Sequence, residues 1–122
     1  MIFFRRKEKK EEVKEVTTPS GTPIGKAILI DVFGFFRSPF TGRPKVIVLG
    51  LCLTEGVIFE NSVLKLLNGK LLRAVKLEHK FKKVPMAKAP DCIGVQVEGI
   101  GWKADKEELL KYRRSIIEVY KS

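Results

Sequence analysis

A chain of 122 residues with 44% apolar side chains makes one domain whose core is just large enough to stand unaided. No apolar run approaches the ~20 residues of a bilayer-spanning helix, and the Ile2-Phe3-Phe4 tip runs straight into Arg5-Arg6-Lys7, unlike a secretory leader. The two cysteines are too few for a disulfide framework or a zinc site and fit a reduced, cytoplasmic setting, while a net charge of +10 points to a polyanionic partner.

Residues 1–20 read as a flexible charged tail and linker, and 21–122 as the folded domain. Arg5 to Glu12 buries nothing that would offset its ordering entropy. Thr17 to Pro23 is turn and linker chemistry. Gly21-Thr22-Pro23-Ile24-Gly25-Lys26-Ala27 superficially matches a phosphate-binding loop. It has one residue too few between the glycines, and Ala27 stands where a magnesium-binding hydroxyl is needed, so no nucleotide is expected.

From Gly25 on, short β-rich runs alternate with turn residues. Ala27–Phe33 is β-branched and aromatic, hence a strand. Gly34–Pro44 is a loop, Lys45–Leu53 a second strand, and Gly56–Phe59 leads through a tight turn at Glu60-Asn61 into Ser62–Leu67. Asn68-Gly69 predicts a two-residue type I′ hairpin into a strand from Lys70 to about Phe81. In that strand Val75, Leu77, His79 and Phe81 share one face, and Lys76, Glu78, Lys80 and Lys82 the other. Val84–Pro90 is a connection, and Cys92–Glu98 alternates as a further strand. Asp105 with Glu108 predicts a capping-box-like helix start, and Ser115–Tyr120 a closing strand. The expected fold is all-β: a small, closed or nearly closed barrel of six to seven strands, with a short helix before the last strand.

The positive charge is concentrated. Residues 65–88 carry eight basic side chains against Glu78 alone. Such a field suits nucleic acid, while the plainer alternative is a solvated lysine face. The candidate phosphate contacts are Lys76, Lys80, Lys82, Lys83 and Lys88, with Arg73, Arg37 and Arg43 as secondary ones. The loop Phe33–Arg43 sets four phenylalanines beside two arginines. These suit base stacking or protein anchoring through Phe35, Phe36 and Phe40, or plugging of the barrel end, the expected place of Phe33 and one of Phe35 or Phe36. His79 reads as a structural residue, Cys52 and Cys92 as small packing groups, and Trp102 as half-buried on the outer wall. The acids Glu55, Glu60, Asp91 and Glu98 lie at strand ends and turns without forming a catalytic pair, so no enzyme is expected.

The order of runs resembles the second-domain barrel of translation GTPases, the elongation factor Tu-like barrel. Lys45 to Leu67, with Glu55-Gly56-Val57 and Glu60-Asn61-Ser62-Val63, occupies the place of that family's glycine-bearing strand and Gly-Asp turn. Ala87-Lys88-Ala89-Pro90-Asp91-Cys92-Ile93-Gly94 is similar to its Ala-x-x-Gly-Asp-x-Val-Gly strand opening. Glu60 and Pro90 replace turn glycines, and the GTPase domain has no counterpart here. Gly25-Lys26, Asp31-Val32-Phe33-Gly34 and Ser38-Pro39-Phe40 resemble, more locally, the small barrel protein of pseudouridylation ribonucleoproteins, with Phe35 in place of a proline. The resemblances imply a translation-protein-type barrel that contacts tRNA, ribosomal RNA or a ribonucleoprotein. The other expectation is a protein-interaction module docking through residues 33–43. Membrane association through the N-terminus is the weakest reading.

Overall fold

Period-two burial runs through nearly every element from Gly25 onward, and the strands it builds close on themselves. The computed structural model describes residues 21–35 and 46–122. The expected tail, most of the 34–44 loop, and with it Phe36, Arg37, Phe40 and Arg43, lie outside the described residues. The elements are β1 (Gly25–Phe35), β2 (Val46–Phe59), β3 (Val63–Lys65), β4 (Leu71–His79), β5 (Lys82–Val84), β6 (Met86–Lys88), β7 (Cys92–Gly99), α1 (Lys106–Leu110) and β8 (Ile116–Tyr120). Six strands in the order β1-β8-β3-β4-β7-β2 form an antiparallel barrel, which the β1–β2 pairing closes. β5 adds to β4 and β6 to β2. The all-β barrel is therefore the fold, with the short helix before the last strand.

The interior is aliphatic: Leu29, Leu49, Leu51, Leu64, Leu72, Leu77, Val95, Ile117 and Val119 are essentially fully buried. Leu109 of α1 joins this core, while Leu110 and Tyr112 pack against it. Asp105 is extended at the N-cap, but its side chain makes no cap bond, so the expected capping box does not form. Glu108 turns instead toward Lys70 (3.8 Å), Lys111 (3.5 Å) and the Tyr112 hydroxyl (3.4 Å). At the end of β8 the Tyr120 hydroxyl donates to Glu118 Oε1 at 2.8 Å. That bond, burial and the carboxylate charge raise the phenol above its ordinary value of 10.0, so the contact persists through neutral pH and is lost when alkali ionises the phenol.

The expected strands Lys45–Leu53 and Gly56–Phe59 are one strand that bends instead of ending. A register shift opposite Lys26/Ala27 leaves Thr54 as an extra residue in β2, and Gly56 takes φ +73°. The bend redirects β2 from β7 to β6. A Cβ on Gly56 would lie 2.1 Å from the Ile24 carbonyl oxygen, so no side chain fits at this seam. Gly56→Ala is expected to lower unfolding stability by at least about 2 kcal/mol, combining left-handed backbone cost with that clash, and a fall in urea midpoint at unchanged m-value will show it.

Turn chemistry differs from expectation at both ends of β4. Gly69 has φ +91°, but Asn68 is not in the left-handed region; its Oδ1 accepts from Lys70 N–H at 2.9 Å. Leu66 N–H bonds Lys70 O at 2.9 Å, so the predicted hairpin forms through a three-residue loop closed by glycine instead of a type I′ turn. The two-residue turn lies at the other end. His79 pairs with Lys82, and Lys80 (φ 53°) and Phe81 (φ 67°) both adopt the positive φ of a type I′ turn. β4 thus ends at His79, two residues before the expected Phe81. Glu60-Asn61 makes the predicted tight turn, with Asn61 at φ 73° in place of a glycine and Ser62 Oγ accepting from Phe59 N–H.

The two cysteines are not separate packing groups. They stand directly opposite in β2 and β7 and form a disulfide, with Cα atoms 3.9 Å apart. Leu53 N–H donates to Asp91 O at 2.9 Å, which makes 52/92 a non-hydrogen-bonded pair, the ladder position where side chains come closest.

Candidate nucleic-acid interface

A single extra residue sets the basic face. The β4–β7 register slips between Ala74 and Lys76, leaving Val75 as a bulge. Leu72 and Ala74 point inward before it and Leu77 after it, so Lys76 and Glu78 fall on the outside. Of the expected apolar face, Leu77 is buried, Val75 and His79 are half-buried, and Phe81 is 95% exposed at the turn apex.

The β4–β5 hairpin carries Lys76, Lys80, Lys82 and Lys83, all exposed. Lys83 lies opposite Glu78 in the ladder, and its Nζ is 3.7 Å from a Glu60 carboxylate oxygen. Both partners are substantially solvated, so this pair neutralises little. Among the described residues, Lys76, Lys80 and Lys82 have no carboxylate within ion-pair distance. Lys76, Glu78 and Lys83 line a depression of about 200 Å³ with Val48, Gly94 and Gln96.

The other members of the basic run, the predicted contacts Arg73 and Lys88 among them, lie off this hairpin. Lys65 and Lys70 stand at the opposite end of β4, where Lys70 pairs with Glu108 and lies 4.6 Å from the Trp102 ring centre. Trp102 is half-buried as expected, with its Nε1–H donating to Leu71 O at 2.8 Å. Arg73 is a cross-strand neighbour of Glu98 and donates to Asn61 O at 3.3 Å, which gives it a structural role. Lys88 is exposed on β6 opposite Val57, off the hairpin. Phe35 is 55% exposed at the end of β1.

Phe33 does not plug the barrel. The β1–β2 register slips between Leu29 and Asp31, making Ile30 an extra residue. Val32 therefore turns inward, while Ile30 (49%) and Phe33 (46%) face solvent. Together with Phe81 they border an open groove of about 420 Å³ on the outer surface of β1-β2-β7-β4. Gly50 and Gly94, direct cross-strand partners, form its floor. This groove is illegible in the sequence, since it depends on two glycines 44 positions apart meeting in register and on a bulge in β1.

Among the described residues no helix is long and apolar enough to cross a membrane. No protein-family model matches the chain, and no curated protein matches it.

Proposed function

We propose that this barrel is a non-catalytic module that binds RNA, or the RNA of a ribonucleoprotein, through the β4–β5 hairpin. The observation that carries the reading is the clustering of Lys76, Lys80, Lys82 and Lys83 on one hairpin, with a single solvated ion pair to them among the described residues. Phosphate contacts of this kind confer affinity without sequence preference. The elongation factor Tu-like order of sequence motifs supports tRNA or ribosomal RNA as the partner, in the cytoplasm. A disulfide fits that compartment in heat-adapted organisms, whose intracellular proteins are rich in them. The composition agrees: 17 lysines and 11 glutamates against one glutamine and two asparagines.

Fluorescence anisotropy with labelled tRNA across a salt series tests the proposal. Three to four phosphate contacts predict a log–log slope of about −2 to −3, or roughly thirtyfold weaker binding between 50 and 200 mM salt. The second reading, protein docking through residues 33–43, draws support from the exposure of Phe33 and Phe35. It predicts no RNA binding at low salt and capture of a protein that survives high salt.

A further inference from the structure

Two costs coincide at Phe81. It is 95% exposed, and its φ of 67° is one that a non-glycine residue adopts only at an energetic penalty. Strained residues held without any packing return cluster at ligand sites. Behind the ring lies the glycine-floored groove, with Lys80 on its rim. One row of cross-strand neighbours crosses the floor: Asp31, Gly50, Gly94, Glu78. At ~4.8 Å per strand that row spans about 14 Å. Its centre is bare backbone, its ends are carboxylates, and the lysine-lined depression adjoins it through the shared Glu78 and Gly94.

Resting on the polyanion reading above, we propose that this groove takes an unpaired base of single-stranded RNA, stacked against Phe81 and the Phe33 wall, while the hairpin lysines hold the adjacent phosphates. A base is flat and uncharged and suits an apolar floor between two aromatic borders. Asp31 and Glu78 repel an acidic side chain inserted there but accept hydrogen bonds from the amino groups of adenine, cytosine or guanine. A duplex keeps its bases stacked away from the groove and engages the lysines alone.

The test compares a labelled 12-nucleotide single strand, its duplex, inorganic polyphosphate and phosphatidylserine vesicles. Two variants are used. Phe81→Gly removes the ring at a position whose φ suits glycine. Gly94→Leu fills the floor from a position where a Cβ meets its nearest neighbour, Val48 Cγ1, at an ordinary 3.5 Å. The wild-type protein is expected to bind the single strand at least tenfold more tightly than the duplex. Each variant should lose about tenfold for the single strand with melting temperature unchanged, Phe81→Gly should leave polyphosphate affinity unchanged, and Phe81→Trp should restore binding with quenched fluorescence. Equal affinity for strand and duplex, single-strand affinity untouched in both variants, or Phe81-dependent binding to vesicles alone would overturn the base site. With polyphosphate binding intact, the phosphate-binding reading would survive that result. Failure of the wild-type protein to bind any polyanion overturns both.

Discussion

Changing Lys80, Lys82 and Lys83 to glutamate is expected to abolish RNA binding at low salt. All three are exposed on one hairpin, so the substitutions remove no buried contact, and among the described residues only the weak Lys83–Glu60 pair is lost. Each reversal deletes a proposed phosphate contact and places a repelling carboxylate at the same position, beside Glu78, which already lies opposite Lys83. The matching control is Lys65→Glu, Lys103→Glu and Lys106→Glu, which changes the net charge by the same amount. Those lysines stand at the Leu71–Gly99 end of β4 and β7. The length of β4 puts that end about 25 Å from the hairpin apex at ~3.3 Å per residue. With a screening length of about 10 Å at 0.1 M salt, the control should retain most of its affinity. Equal losses in the two variants would show that overall charge, not the hairpin, attracts RNA. Full retention by the hairpin variant would remove the site assignment. Circular dichroism melts of both proteins, expected to match the wild type, confirm that neither result reflects unfolding.

The barrel was legible because its signals are local. The β-branched and aromatic run Ala27–Phe33, the alternation in Cys92–Glu98, the Glu60-Asn61 turn and the Asn68-Gly69 hairpin each need only a few neighbouring residues to be read. The phase of β1 was not, because a bulge at Ile30 shifts inside and outside by one residue, whereas the bulge at Val75 lies just before Lys76 and Glu78, whose outward face alternation placed correctly. Neither carries a glycine or proline to announce it. That one-residue slip turns Phe33 from a barrel plug into a groove wall. The lysine cluster was visible as composition, but the barrel divides it: Lys70 and Arg73 serve the structure, and the exposed remainder concentrates at the far hairpin. The two-residue turn at Lys80-Phe81 escaped notice because it lacks the Asn or Gly that ordinarily marks positive φ. A fully exposed phenylalanine held in that conformation is itself the signal, and only the backbone reveals it.

The cysteines could not be paired from spacing, since their meeting depends on the β2–β7 register and on β7 returning beside β2 after 40 residues. Once made, the link closes a loop that contains β3 to β6 and so restricts much of the unfolded chain. Replacing both cysteines with serine is expected to lower unfolding stability by about 3–4 kcal/mol by the chain-entropy relation for a loop of this length, and the melting temperature by roughly 10 °C. The native contacts change little, because Cys92 is exposed, Cys52 is half-buried, and the ladder bonds on either side remain. The loss should therefore appear as a lower denaturant midpoint together with a somewhat larger m-value, as the released chain exposes more surface when unfolded. Wild-type protein in excess reductant should match the double-serine variant. Thiol labelling of the oxidised, denatured protein should find no free cysteine. Two labelled thiols, or identical melting with and without reductant, would mean that the ladder hydrogen bonds and the aliphatic core hold β2 against β7 without a covalent link.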